Sequence, residues 1–209
     1  PPISFGLWVD TVPPAIGSYS PAPGLLLNTL APTVTASISD AHSGIEADGA
    51  TLSVNGVTVP AVWDDATGQL TITGRTILNE GANHLQVEAT DRAGNVQTPI
   101  VWSVRADVTP PDGSVLINGG AQTTTSAYVT LTLSGTDALA GISHVLISND
   151  PVTGFVQEPY AAVRDLWRLN AVRGEQTVYV KFVDLAGNTS APVDDQIVLE
   201  LSAPETIIV

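Results

Sequence analysis

The stretch Asp91-Arg92-Ala93-Gly94-Asn95 occurs a second time as Asp184-Leu185-Ala186-Gly187-Asn188. Each copy follows a run with apolar residues two, four and six positions before the aspartate: Ala89, Val87 and Leu85 in the first, and Phe182, Val180 and Val178 in the second. Strict alternation of this kind predicts a β-strand with one face on a core and the other in water. The Gly-Asn pair after each aspartate supplies the positive φ that a tight hairpin turn requires.

Two further landmarks repeat in the same order and at nearly constant spacing. Asp10-Thr11-Val12-Pro13-Pro14 recurs as Asp107-Val108-Thr109-Pro110-Pro111, and Asp40-Ala41-His42-Ser43-Gly44-Ile45 recurs as Asp137-Ala138-Leu139-Ala140-Gly141-Ile142. A repeat of this kind indicates tandem domains. We predict a first domain over residues 10–106 and a second over 107–201. Residues 1–9 are expected to form the last strand of a preceding repeat, and residues 202–209 the start of a following repeat or an exchanged strand.

The repeats contain short strands separated by turn residues, with no helical period. The predicted strands of the first lie near residues 15–20, 33–39, 51–59, 69–73, 83–90 and 96–105. Those of the second lie near residues 114–117, 128–135, 143–148, 157–162, 166–169, 176–183 and 194–201. About seven strands in about 95 residues is the pattern of an immunoglobulin-like sandwich. The predicted fold is therefore all-β, with two tandem immunoglobulin-like Greek-key β-sandwiches.

The Asp-x-x-Pro-Pro openings and the Asp-x-Ala-Gly-Asn turns resemble the bacterial Ig-like (immunoglobulin-like or fibronectin-III-like) tandem repeats of large secreted and cell-surface proteins. The second repeat is similar to that family also through Ser148-Asn149-Asp150, Glu158-Pro159-Tyr160 and Val178-Tyr179-Val180. The resemblance covers residues 10–199. It implies a non-catalytic extracellular module that spaces and presents other domains, with neighbouring repeats or copies of itself as partners.

Composition narrows the function classes. The formal charge is −14, from 21 acidic and 7 basic residues, and the excess is spread over both repeats. Nucleic-acid binding, which needs a basic surface, is therefore not expected. The chain has no run of about 18 apolar residues, so membrane insertion is not expected either. It has no cysteine, so stability depends on packing, turns and ions.

Three aspartates per repeat are expected to meet at one pole of each sandwich, because the first strand begins where two other strands end. The expected clusters are Asp10, Asp40 and Asp91 in the first domain, and Asp107, Asp137 and Asp184 in the second. Converging carboxylates repel one another unless they are paired. One solution is a Ca²⁺ ion at each pole, with the three aspartates of that pole as metal ligands and Asn95, Asn188 or Glu80 contributing. The other is structural: each aspartate accepts backbone N–H groups of its own turn.

Other candidate residues have simpler explanations. The histidines (His42, His84 and His144) do not recur between the repeats and are expected to be ordinary strand or loop residues. The acid pairs Asp64-Asp65 and Asp194-Asp195 lack the companions that glycosidase chemistry needs. No catalytic motif is present, so an enzyme is not expected. Trp102 occupies a position in the strand alternation that predicts a core-facing side chain. Trp63, Tyr160 and Trp167 are expected at sheet edges, where they pack or form a sugar-stacking platform.

Two alternatives to the spacing role stay open. The chain can be a subunit of an extracellular filament or surface layer that assembles by strand addition. It can also be a carbohydrate-binding accessory module, whose partner would be a surface glycan, or it can bind a protein receptor. One sandwich fold serves all of these roles.

Overall fold

The computed structural model describes residues 9–72 and 77–200. The chain divides into two compact units between Val108 and Thr109, two residues beyond the predicted boundary. All regular elements of the described residues are β-strands. No helix in these ranges is long and apolar enough to span a membrane. The predicted end segments 1–9 and 202–209 lie outside the described residues, apart from Val9.

The first domain consists of two facing sheets. Its strands are β1 (Ala15–Ser20), β2 (Leu26–Leu27), β3 (Val34–Ser39), β4 (Ile45–Val54), β5 (Val57–Val59), β6 (Val62–Asp64), β7 (Gln69–Ile72), β8 (Gly81–Asp91) and β9 (Ile100–Ala106). One sheet has the order β1-β3-β7-β6 and the other the order β2-β9-β8-β4-β5. The short strand β2 runs parallel to β9, whereas the other pairs are antiparallel.

The second domain repeats this plan without a counterpart of β6 among its described residues. Its strands are β10 (Asp112–Ile117), β11 (Thr123–Thr124), β12 (Tyr128–Thr136), β13 (Ile142–Ser148), β14 (Val156–Pro159), β15 (Val163–Arg168), β16 (Gly174–Asp184) and β17 (Val193–Leu199). The sheets have the orders β10-β12-β15 and β11-β17-β16-β13-β14. Both domains thus have the immunoglobulin-like or fibronectin-III-like β-sandwich fold that the sequence predicts.

The predicted alternation produces the two cores. In β8 the side chains of Leu85, Val87 and Ala89 are fully buried, and in β16 those of Val178, Val180 and Phe182 are. Burying each larger apolar side chain contributes roughly 1.5–3 kcal/mol. Each core is separate and contains residues of both sheets of its domain. The indole of Trp102 is buried, as its parity predicts, and its Nε1–H donates to the carbonyl of Pro21 at 3.0 Å.

Several details of the predicted strands were wrong. The run 51–59 is a hairpin and not one strand, because Asn55 (φ 51°) and Gly56 (φ 79°) form a turn that pairs Val54 with Val57. The strands β2, β6 and β11 have only two or three residues, too few for a visible period. Strand β9 begins at Ile100 and not at residue 96, which makes only an isolated bridge with Thr90.

Candidate functional site

The six predicted aspartates form two clusters. Carboxylate oxygens of Asp10, Asp40 and Asp91 lie within 4.8 Å of one another, and so do those of Asp107, Asp137 and Asp184. Asp91, Asp107 and Asp184 are buried, whereas Asp10, Asp40 and Asp137 are partly exposed. The geometry therefore brings together the residues that the repeat singled out. Their role as metal ligands stays a prediction.

Asp40 caps the turn that joins β3 to β4. Its Oδ1 accepts hydrogen bonds from the backbone N–H groups of His42 (3.0 Å), Ser43 (2.7 Å) and Gly44 (2.8 Å). Gly44 has a φ of 76°, which an L-residue with a side chain adopts at a cost. These N–H groups have no acceptor on a neighbouring strand, because the chain turns here, and the Asp40 carboxylate serves as their acceptor instead.

Asp137 performs the same task at the corresponding turn of the second domain. Its Oδ1 accepts the backbone N–H groups of Leu139 (3.0 Å), Ala140 (2.6 Å) and Gly141 (2.7 Å). The two turns differ in sequence at their centres, since His42 and Ser43 stand where the second domain has Leu139 and Ala140. The aspartate and the glycine are therefore the parts of this motif that fix the turn.

Asp91 and Asp184 close the turns that follow β8 and β16. Asp91 Oδ1 accepts the N–H groups of Ala93 (2.9 Å) and Asn95 (2.8 Å), and its Oδ2 accepts the Asn95 side-chain amide at 2.7 Å. Asp184 likewise accepts the backbone N–H and the Nδ2 of Asn188, both at 2.8 Å. These buried carboxylates are thus held by N–H donors of their own turns, as the structural alternative requires.

Asp10 connects the segment that precedes β1 to both turns of the first domain. Its Oδ1 accepts the N–H of Val12 at 3.0 Å, and its Oδ2 accepts the N–H of Ser43 at 3.1 Å. Its backbone carbonyl accepts the side-chain amide of Asn95 at 3.2 Å. No side-chain pattern of the sequence reveals this contact of Ser43, because the donor is its backbone N–H.

Hydrogen bonds favour the ionised form of the partly exposed aspartates. The Ser43 hydroxyl and the Val12 N–H lower the pKa of Asp10, and the Gly44 N–H is the main cause of the lowered pKa of Asp40. The charge of Asp10 acts in the opposite direction on the pKa of Asp40, which is the expected repulsion. For Asp137, burial raises the pKa, but the N–H groups of residues 138–141 outweigh it and the pKa is lowered.

The donor set of each cluster fits a hard cation such as Ca²⁺, which prefers carboxylate and carbonyl oxygens. In the first domain all hydrogen bonds described for Asp40 end on Oδ1, and none is described for Oδ2. Asn95 and Asn188, predicted as oxygen ligands, instead direct their amide nitrogens to Asp91 and Asp184. Glu80 is in neither cluster, and its Oε1 accepts the N–H of Val108 at 3.2 Å.

The other candidate residues have structural roles in the described ranges. Asp64 caps its turn through the N–H of Ala66 (3.0 Å) and the hydroxyl of Thr67 (2.7 Å). Asp195 accepts the N–H of Ile117 at 2.7 Å, whereas Asp194 is exposed. His84 is an exposed strand residue, His144 is partly buried and His42 lies in the Asp40 turn.

The edge aromatics pack against the cores. Tyr160 accepts the backbone N–H of Gly135 with its hydroxyl oxygen at 2.9 Å, and its ring meets Phe182 edge-on at 6.1 Å between ring centroids. Trp167 is buried and donates its Nε1–H to Asn149 Oδ1 at 2.8 Å. Trp63 packs against the core of the first domain and keeps part of its ring exposed.

Comparisons with known structures yield sandwich modules. The chain is similar to the fibronectin(III)-like modules of Clostridium thermocellum CbhA, with 18% identity and a TM-score of 0.46 over 90% of this chain and 94% of that one. It is also similar to extracellular domains 3–5 of Drosophila OTK (16% identity, TM-score 0.39, 89% and 62% covered). The FN1–FN3 domains of chicken CNTN1 match with 15% identity and a TM-score of 0.39, over 90% and 66%.

Comparison with protein-family models and with curated proteins gives no match. The definition of the fold therefore depends on the strand order within each domain and on the two cores, not on these similarities.

Proposed function

We propose that the chain is a non-catalytic extracellular module that spaces and presents other domains of a larger bacterial surface or secreted protein. The observation that carries this proposal is the attachment of Asp10 to both turns of its pole, through Ser43 and Asn95. These two hydrogen bonds of one residue hold the segment that enters the first domain, so that a pull on this segment is transmitted to the β3–β4 turn and to the turn after β8.

The composition supports a role on a solvated surface outside the cell. A formal charge of −14 keeps copies of the chain apart and disfavours non-specific contacts with other polyanions. The partners of such a module are neighbouring repeats of the same kind, and the proteins or glycans that the larger protein contacts.

Sedimentation velocity of the 209-residue chain at micromolar concentration tests the spacing role. A spacer sediments as a monomer over a hundredfold range of concentration. Ordered polymers that grow with concentration would contradict the proposal and favour the alternative of a filament subunit that assembles by strand addition.

We further propose that the cluster of Asp10, Asp40 and Asp91 binds Ca²⁺ and thereby stiffens its pole. The support is the approach of three carboxylates to within 4.8 Å of one another. In addition, the hydrogen bonds described for Asp40 within its turn end on Oδ1, and none is described for Oδ2. A cation there would remove the repulsion between Asp10 and Asp40. The ion would be held by side-chain oxygens, while Oδ1 of Asp40 continues to cap its turn.

Thermal melts in EDTA and in millimolar Ca²⁺ test this second proposal. A ligand at about 100 times its dissociation constant adds about 2.7 kcal/mol to the stability of the native state, so the midpoint rises by several degrees. The rise should disappear in Asp40→Ala and persist in Glu88→Ala, which removes an exposed carboxylate of the same domain. Equal midpoints in EDTA and Ca²⁺ would contradict calcium binding and leave the aspartates with their turn-capping role alone.

A further inference from the structure

A groove of about 620 Å³ opens in the first domain where the chain crosses from β5 in one sheet to β6 in the other. Its apolar lining includes Trp63, Ala61 and Val59, and its charged lining consists of Asp48, Asp65 and Arg92. Binding sites for small molecules have this size and this mixture of an apolar surface with a few polar groups. The groove is separate from the carboxylates of the aspartate cluster, none of which lines it.

Trp63 supplies a fixed aromatic surface in this groove. The residue lies in β6, opposite Leu70 of β7, and packs against the buried core of the domain. Its ring is therefore held in place before any ligand arrives, and the part that stays exposed lines the groove. A rigid aromatic side chain offers a large contact area at little cost in conformational entropy.

The charged groups of the groove are available to a ligand. Arg92 Nη2 and Asp65 Oδ2 lie 3.8 Å apart, and the two side chains are 57% and 70% exposed. Exposed ion pairs of this length contribute little to stability, so exchanging the pair for hydrogen bonds to a ligand costs little. Asp48 is exposed as well. Together these groups present hydrogen-bond acceptors from two carboxylates and donors from one guanidinium.

We propose that this groove binds a hexopyranose unit of a neutral carbohydrate chain. Sugar hydroxyl groups donate to Asp48 and Asp65 and accept from Arg92, while the apolar face of the ring lies on Trp63. The two carboxylates outnumber the single guanidinium, which disfavours uronic acids, phosphates and nucleic acids. This binding goes beyond the spacing role, and either can hold without the other.

The second domain provides an internal comparison. Leu185 stands at the position that corresponds to Arg92, and the described residues of that domain contain no counterpart of β6. The proposed site is therefore specific to the first domain. The repeat also suggests a mild test substitution, Arg92→Leu, because the corresponding turn of the second domain has a leucine, Leu185, at this position.

The test is a titration of the full ¹⁵N-labelled chain with cellohexaose, maltohexaose and mannohexaose, which are neutral chains of hexopyranose units, followed by NMR. We expect saturable shifts of the Trp63 indole N–H and of the backbone amides around the groove for at least one of these sugars. Trp63→Ala should abolish the shifts, and Arg92→Leu should weaken binding about tenfold or more. The matched control is Tyr128→Ala, which removes an aromatic ring that is 54% exposed in the second domain and should leave the affinity unchanged.

Several results would overturn the proposal. The first is the absence of saturable shifts with all three hexasaccharides at 10 mM, about ten times the dissociation constant of a weak, millimolar site. The second is binding that maps to other residues or survives both Trp63→Ala and Arg92→Leu. The third is saturable binding of tri-arginine at the groove without binding of any sugar, which would assign the carboxylates and Trp63 to a cationic peptide. Because Arg92 is exposed, Arg92→Leu keeps the test valid if Trp63→Ala fails to fold.

Discussion

Asp10 Oδ2 accepts a hydrogen bond from the backbone N–H of Ser43 at 3.1 Å, and this contact joins the segment before β1 to the turn after β3. The same N–H also donates to Asp40 Oδ1 at 2.7 Å. Two aspartates from distant parts of the chain therefore share one donor. The shared N–H group stabilises both ionised carboxylates and thereby offsets part of the repulsion between their charges.

Asp91→Ala should destabilise the first domain by about 3 kcal/mol, because the substitution leaves two backbone N–H groups and one side-chain amide without their acceptor in a buried site. The measurement is chemical denaturation of the full chain. Glu88→Ala, at an exposed position of the same strand, should change the stability by no more than about 0.5 kcal/mol. Equal effects of the two substitutions would show that the Asp91 hydrogen bonds do not stabilise the turn.

Stability should fall in acid because of the lowered pKa values of Asp10, Asp40 and Asp137. Their contribution is fully present above the unfolded-state value of 3.8 and is lost as the pH falls below it through the lower folded-state pKa. Thermal midpoints measured between pH 7 and pH 2.5 should thus decline below about pH 4. Asp40→Ala should make this decline shallower, and an unchanged slope would argue against the assignment.

Gly113→Ala should destabilise the second domain by about 1–3 kcal/mol, because there is no room for a methyl group. A Cβ at Gly113 would overlap the ring of Phe182, and one at its cross-strand partner Gly135 would lie 2.6 Å from the same ring. Calorimetry should show that Phe182→Leu restores part of the loss in the double variant. Ser114→Ala, at the next residue of β10, is the control and should be nearly neutral, so an equal loss there would contradict the steric explanation.

Leu166→Asn should stabilise the second domain by about 1 kcal/mol. Leu166 has a φ of 57° in a bulge of β15, opposite β12, and its side chain is 73% exposed. The left-handed conformation is costly for leucine, whereas asparagine adopts it more easily. Denaturation by urea is the measurement. Val163→Asn, an exposed position of the same strand without positive φ, should give no gain, and a gain at both positions would point to a general effect of polarity.

The sequence predicts the core faces and the aspartate clusters well, since both depend on the period of two along a strand. Leu85 and Phe182 are buried, and Asp40 and Asp91 meet, because their parity places them on inward faces. The hairpin at Asn55-Gly56 was missed although its turn signal is present, because the apolar alternation continues on both sides of it.

The hydrogen-bond donors of the turns and the lining of the groove could not be predicted from the pattern of side chains in the sequence. The backbone N–H of Ser43 donates to Asp10, and Asn95 offers its amide nitrogen and not its oxygen to Asp91. The groove at Trp63 combines residues of β4, β5, β6 and two turns, and only the crossing between the sheets brings them together. Such contacts depend on the path of the backbone through turns, which the period of the strands does not define.

Single-molecule pulling through the two ends of the chain tests the central claim, a mechanical spacing role, most directly. We expect two separate unfolding events, each releasing roughly 300 Å of chain for about 95 residues. We also expect that Asp10→Ala lowers the force of one event only, while Asp194→Ala, which removes an exposed carboxylate, changes neither. Equal forces for Asp10→Ala and the unmodified chain in both events would contradict the claim that the aspartate pole carries load.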